Sequence, residues 1–431
     1  MTPTSSSPAV PTRGLHYAWI VAGVTFLFLL IAAGIRGGSG VLIVPLEKEF
    51  GWTRATISIA LAISIFLGGF VGPFAAALTQ TIGVRRTAMG AFALLALGSF
   101  ASLPMSEPWQ LALTWGVTSG LGAGAAGLPL AATLINRWFV AHRGLVMGLL
   151  TAGMAGGQLL FLPMLGYLAE TGGWRPVAWF TGFAALAMLP LMLLLRDWPR
   201  DKGLPRLGES EIQPPVPPPV SNPILTALGA LVAVRASRDF WLLATSFFVC
   251  GLSTNGLVAT HLIPYCFDNG IPVTTAAGLL AFIGVFNMIG TTASGWFTDR
   301  WDSRWLLFWY YGLRGISLVV LPFSNFDAFS LTIFAVFYGL DWIATVPPTL
   351  RLSNDLFGRE RGPIVFGWLL AAHQVGGAVA AWGAGFMRTA LETYLESFII
   401  SGVACLVTAL MVLAIGRATA RPTAPAAAAA A

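Results

Sequence analysis

The strongest constraint on this chain is a series of apolar runs, each about as long as a bilayer core is thick, separated by short polar breaks. Twelve such runs fall at residues 17–45, 54–78, 87–104, 108–136, 143–168, 175–195, 238–265, 273–297, 305–323, 327–350, 362–387 and 392–416. In lipid, every backbone N–H and C=O must be satisfied within the segment, which for runs of this length means helices. Only 10% of the residues are charged, 56% are hydrophobic and the mean hydropathy is +0.77. Soluble domains carry about a quarter charged residues. The sequence therefore predicts an all-α membrane protein of twelve transmembrane helices, several of them long enough to be tilted.

The basic residues predict the orientation. With the N-terminus cytoplasmic, 18 of the 24 Lys and Arg residues fall on inside segments. Four (Lys48, Arg54, Arg175 and Arg388) fall outside, and Arg36 and Arg314 lie within spans. This bias follows the positive-inside rule and predicts two cytoplasmic termini in an inner (plasma) membrane. The net charge of +6 is then a product of topology, and no nucleic-acid partner is expected. The polar stretch Met1–Arg13 precedes the first run without a cleavable apolar segment, so that first helix is expected to be retained.

Function by catalysis is not indicated. Cys250, Cys266 and Cys405 have no metal-binding spacing and read as small apolar helix residues. There is no nucleotide-binding loop, no His/Cys cluster and no Ser–His–Asp pattern on aqueous segments. Neither enzyme activity, nor a cofactor, nor a metal is expected.

One long inside segment, 196–237, separates two groups of six spans, 17–195 and 238–416. It contains the Pro-rich stretch Gln213 to Val220, which favours extended polyproline geometry and reads as a linker. A cytoplasmic tail, 1–16, and an Ala-rich tail, 417–431, flank the two groups. The groups repeat. Arg36-to-Pro45 matches Asn255-to-Pro264, and Gln80-to-Arg85 matches Asp299-to-Arg304. Asn136…Arg143-Gly144 matches Asn354…Arg361-Gly362, and Ala152…Gly157 matches Ala372…Gly377. All four matches lie at offsets of 218 to 220, which argues for a parallel duplication with a central site between the halves near mid-membrane.

These motifs resemble the major facilitator superfamily. Gly295-Trp-Phe-Thr-Asp299-Arg300, followed by Arg304, is similar to that family's loop signature after the second helix of each half. The first-half copy keeps Gly83 and Arg85 but has Ala76, Gln80 and Thr81 in place of Gly, Asp and Arg. The resemblance implies that Asp299, Arg300, Arg304 and Arg85 belong to a cytoplasmic gating motif. Within the superfamily, Trp138-Phe139…Arg143-Gly-Leu145…Gly148…Ala152-Gly153…Gly157 resembles the monocarboxylate transporter and oxalate–formate antiporter branch, as does the start Tyr17-Ala-Trp19. That implies a major facilitator fold of two pseudo-symmetric bundles and a monomer that carries a small carboxylate with protons or a counter-anion. The branch's span-eight Asp and Arg are replaced here by Asn287 and Thr291, and its span-eleven Lys is answered by His373.

Ionisable groups inside a span are rare and mark functional sites by default. Arg36 lies nine residues before Pro45, about 13 Å along a helix, among Gly34, Gly37, Gly38 and Gly40. Its guanidinium fork matches a carboxylate, so it is a substrate-binding candidate. So are Asn255, its counterpart in the repeat, and Asn287, Thr291, Gln374 and Gln158. His373 is a candidate for both binding and proton coupling, because histidine ordinarily titrates near 6.5. Arg314 and Asp341, at matching depth, are expected to form a structural ion pair. Asp341, ahead of the bend-prone Pro347-Pro348, is also a proton-coupling candidate. His261 is expected at the outer interface. The sequence thus points to secondary transport of a small organic anion; the alternative is export of an amphiphilic or neutral compound.

Overall fold

The structure, a computed structural model, describes residues 16–213, 223–358 and 361–416. The N-terminal tail, most of the Pro-rich stretch, Arg359 and the Ala-rich tail lie outside the described residues, as do the side chains of Ala76 and Gln80.

Six spanning helices form the first half. They are α1 (Tyr17–Phe50), α2 (Arg54–Phe70, resumed after Val71 by Gly72–Thr81), α3 (Val84–Ala101), α4 (Pro108–Trp138), α5 (Arg143–Gly172) and α6 (Trp174–Met192). A short helix, α7 (Pro223–Val234), follows in the connecting segment. The second half holds α8 (Arg238–Asp268), α9 (Val273–Thr298), α10 (Ser303–Phe323), α11 (Ala328–Phe357), α12 (Gly362–Leu391) and α13 (Leu395–Val412). Ten of these stretches are long and apolar enough to cross a membrane, and α2 and α3 complete the twelve that the apolar runs predict. Among the described residues there is no strand, only one isolated bridge between Phe139 and Leu207.

Local chemistry sets the helix ends. Thr53, Ser237 and Asp327 accept from the N–H three residues on, at 3.2, 3.4 and 2.7 Å. Each satisfies one of the donors that a helix start leaves free. Pro129 and Pro347 sit in the first turn of the second segment of α4 and α11, where a missing N–H costs nothing. Both helices break just before these prolines, at Ala126–Gly127 and at Trp342–Thr345.

The halves repeat in space as in sequence. Helices α5 and α12 each run for 30 residues, and Val84–Ala101 matches Ser303–Val320, each with 18. The same close approach occurs twice. A Cβ on Gly157 would lie 2.0 Å from the Leu30 carbonyl oxygen, and one on Gly376 would lie 2.0 Å from that of Phe248. No side chain fits there, so glycine sets the α1–α5 and α8–α12 spacing, as small residues do between membrane helices. Across the molecule, α2 packs along α12 and α5 along α9, and α1 meets α8.

Candidate functional site

Arg36 ends the regular part of α1, and Gly38–Leu42 continue it as a tighter 3-10 turn. One turn beyond Arg36, Gly40 touches α8; a Cβ there would lie 2.6 Å from the Thr260 carbonyl oxygen. Arg36 therefore stands one turn from the point where the two halves meet. Its side chain is accessible, and no acidic group lies within ion-pair distance among the described residues. Beside it, Gln158 of α5 packs on Gly37 and reaches toward Gly284 of α9, so one side chain spans both halves.

A second polar group lies between α8 and α12. Asn255 donates to Gln374 Oε1 at 3.0 Å, and His373 Nδ1 lies 3.2 Å from the same oxygen. His373 Nε2 is 3.5 Å from Thr254 Oγ1. Gln374 also packs on Gly69 of α2, which ties this cluster to the first half. All three side chains are partly accessible.

Asn287 and Thr291 do not join these groups. Thr291 donates to Asn287 Oδ1 at 3.0 Å, and the same oxygen accepts from the Ile343 N–H at 3.1 Å. Asn287 thus holds a backbone donor freed by the break in α11.

Arg314 and Asp341 meet in a dry setting. Arg314 Nε lies 2.6 Å from Asp341 Oδ2, with the two side chains 0% and 5% exposed. Arg314 also donates to the Asp341 and Trp342 carbonyls at 2.7 and 3.2 Å, to Cys250 Sγ at 3.1 Å and to Ser253 Oγ at 3.4 Å. It thereby clasps α8, α10 and the broken end of α11. Asp341 Oδ1 has no hydrogen-bond partner among the described residues. His261, expected at the interface, is instead fully buried. It bonds to the Ala381 carbonyl at 2.7 Å and lies 3.0 Å from Tyr394 Oη. Its position near a helix end suggested contact with lipid headgroups, but packing between α8, α12 and α13 covers it.

On the linker-bearing face, the gating-motif residues make local contacts. Arg300 stacks on Trp296 at 3.9 Å, and Asp299 is exposed. Arg304 pairs with Asp302 at 2.5 Å and holds that carboxyl below the usual carboxylate range. Arg351 donates to the Thr298 carbonyl at the end of α9. In the first half, where the loop lacks its acid, Asp197 from beyond α6 stands in. Its Oδ1 accepts from the N–H groups of Val84 and Arg85 at 2.6 and 3.0 Å. Gly83, at φ +92°, makes room for it. Asp197 is far from the loop in sequence, and no spacing signalled the contact.

On the opposite face, a cluster that the sequence reading missed joins the halves. Arg54 of α2 forms a bidentate pair with Asp268 of α8 at 2.6 and 2.7 Å. It also reaches Glu47 at 3.0 Å and Tyr394 Oη at 3.3 Å. Arg388 adds a 2.8 Å contact to Asp268. Nearby, Glu170 of α5 accepts from both the N–H and the hydroxyl of Thr274 at the start of α9. In sequence these are ordinary charges at span ends; only folding brings them together.

Comparison with known proteins places this architecture. The sequence model of the Major Facilitator Superfamily matches residues 24–381. An uncharacterized MFS-type transporter of Bacillus subtilis, YcxA, is 24% identical over 385 residues, 88% of this chain and 90% of that protein. Monocarboxylate transporter 13 of Rattus norvegicus is 26% identical over 381 residues, 88% of this chain and 84% of that one. Among solved structures, a bacterial homolog of the human lysosomal transporter Spinster, in an inward-facing and occupied conformation, superposes with a TM-score of 0.73 at 15% identity. That match covers 93% of this chain and 97% of the other. A D-xylose–proton symporter gives 0.70, also at 15% identity, with 93% and 98% covered. A twelve-helix duplicated architecture matched along most of its length by this family's model is a membrane transporter, not an enzyme: the chain belongs to the Major Facilitator Superfamily.

Proposed function

We propose that this protein carries a small organic anion, a monocarboxylate, across the plasma membrane by alternating access, with proton symport or anion exchange. The observation that carries this reading is Arg36. Arg36 is an exposed residue in a spanning helix, followed by the Gly37 on which Gln158 packs, with no acidic partner among the described residues. An ion in that position needs a counter-charge, and a carboxylate substrate supplies one with matching two-point geometry. The relatives named monocarboxylate transporters support the substrate class. Gln158 and the Asn255–Gln374–His373 cluster supply neutral hydrogen bonds around the cargo, and His373 and Asp341 are the groups assigned to proton coupling, Asp341 being held by Arg314 in this conformation.

In this reading the linker face is cytoplasmic, which the distribution of Lys and Arg supports. The Arg54–Asp268 and Glu170–Thr274 contacts then close the outer side, and the described conformation is inward-facing. Opening outward would break these bonds while contacts on the linker face replace them.

One observation favours export of a neutral or amphiphilic compound instead. Asn287 and Thr291 stand where the branch's charged contact would be, and Asn287 is engaged with the α11 backbone.

Proteoliposome uptake of labelled monocarboxylates, with and without a pH gradient, tests the proposal. Wild type is expected to show saturable uptake, and Arg36→Ala to lose it while remaining folded. Normal uptake by that variant would overturn the role of Arg36. Thermal stabilisation of the purified protein by carboxylates is expected as well; stabilisation by amphiphiles alone would favour the second reading.

A further inference from the structure

Helix α7 poses a problem that transport does not address. Its twelve residues, Pro-Ile-Leu-Thr-Ala-Leu-Gly-Ala-Leu-Val-Ala-Val, include no charge, yet it lies in the segment connecting the two halves. Its inner side is covered: Ala230 and Val234 are buried, and the helix packs against the Gly72–Thr81 end of α2 and against α12. Its other side presents Leu225, Leu228 and Val232, exposed by 66%, 45% and 57%. These sit at i, i+3 and i+7, one continuous stripe. A helix this short is marginal in water on its own, and one with no polar face is unsuited to an aqueous loop.

Its height relative to the membrane is limited by the chain. Three residues, Arg235–Ser237, separate α7 from the spanning helix α8, and three residues reach about 10 Å at full extension. The Trp241 indole, in the first turn of α8, donates to the Arg235 carbonyl at 2.8 Å and pins the junction. Arg235, Arg238 and Trp241 are all exposed there. Basic and indole side chains are the anchors found at headgroup level.

The helices beside α7 also present outward apolar stripes. On α2, Phe66, Phe70 and Phe74 are exposed; Phe66 stacks on Phe70 at 5.7 Å, and Phe70 meets Phe74 tilted at 5.3 Å. On α12, Val375, Val379 and Trp382 are exposed. We infer that α7 is an interfacial helix, its Leu225–Leu228–Val232 face seated in the linker-side leaflet at the boundary of headgroups and acyl chains. It would hold the connecting segment against the membrane beside the ends of α2 and α12.

Fluorescence in nanodiscs of phosphatidylcholine and phosphatidylglycerol tests this. The three native cysteines are buried, which favours selective labelling of an introduced one. Leu228→Cys and Val232→Cys would carry an environment-sensitive NBD label, with Ser210→Cys, exposed in the aqueous part of the same segment, as reference. The labels at 228 and 232 are expected to emit at shorter wavelength, to be quenched severalfold more by lipid with a doxyl group near the headgroup, and to resist aqueous iodide. The label at 210 is expected to behave oppositely. Iodide quenching at 228 and 232 equal to that at 210 would overturn the inference. So would protection from both quenchers, which would mean that protein covers the stripe.

Discussion

Two arginines within spanning helices have opposite surroundings. Arg314 is dry and saturated: it bonds to the Asp341 carboxylate, two carbonyls, a thiol and a hydroxyl across three helices. Arg36 is exposed, the Gln158 amide packs on the next residue, Gly37, and no acid is in reach among the described residues. The sequence presents them alike, as lone cations in apolar runs. The fold gives one a partner in every direction and leaves the other without an acidic one among the described residues; in the proposed function that second arginine meets the cargo. An intramembrane charge is thus informative only once its partners are known.

The largest effect expected of breaking this contrast is on stability. Arg314→Ala strands Asp341 as an uncompensated buried charge, a loss of about 3–5 kcal/mol by the general behaviour of such pairs. Thermal unfolding in detergent should show a large fall in Tm for Arg314→Ala and almost none for Arg36→Ala. Comparable falls would erase the distinction. Next in size is Arg54→Ala, which tests an arginine that is buried yet lies between the halves. Losing charge-assisted hydrogen bonds of about 1.5–3 kcal/mol favours opening of the outer side by about 10- to 100-fold. The readout is labelling of a cysteine at Ser58, behind the closure, by a membrane-impermeant reagent. An unchanged rate would remove Arg54 from the closure.

A subtler probe of Arg36 is Arg36→Lys, which keeps the charge but loses the two-point fork. Uptake efficiency should fall by about tenfold, a loss of about 1.4 kcal/mol, mostly as a higher KM. Full retention would mean that charge alone suffices. The smallest effect belongs to Asn287→Ala. It releases one backbone donor at the α11 break and should cost about 1 kcal/mol of stability. A complete loss of uptake with normal stability would instead place Asn287 in contact with cargo.

Much of the architecture was legible because its causes are local or periodic. Bilayer thickness sets run length, and the duplicated motifs recur as matching helices, although the equivalent close contacts fall on Gly157 and Gly376, one residue off the sequence match of Gly157 with Gly377. The candidate site was legible only as a list. Nothing in the spacing showed that Gln374 would bond Asn255 or that Asn287 would turn to Ile343. Nor did it show that Asp197 would serve the start of α3 from beyond α6. The Pro-rich stretch marks segment 196–237 as a linker and signals no helix there, yet Pro223–Val234 forms α7. Its twelve uncharged residues place Leu225, Leu228 and Val232 on one stripe.

By itself the sequence determined that the chain must be helical, must cross a membrane repeatedly and must consist of two related halves, since each follows from backbone hydrogen bonding in lipid and from repetition along the chain. Only tertiary structure decided which charges are paired, which stay accessible and which close one face. Ion pairing depends on contacts within a few ångströms between residues as far apart as Arg54 and Asp268, and one-dimensional order does not encode those distances.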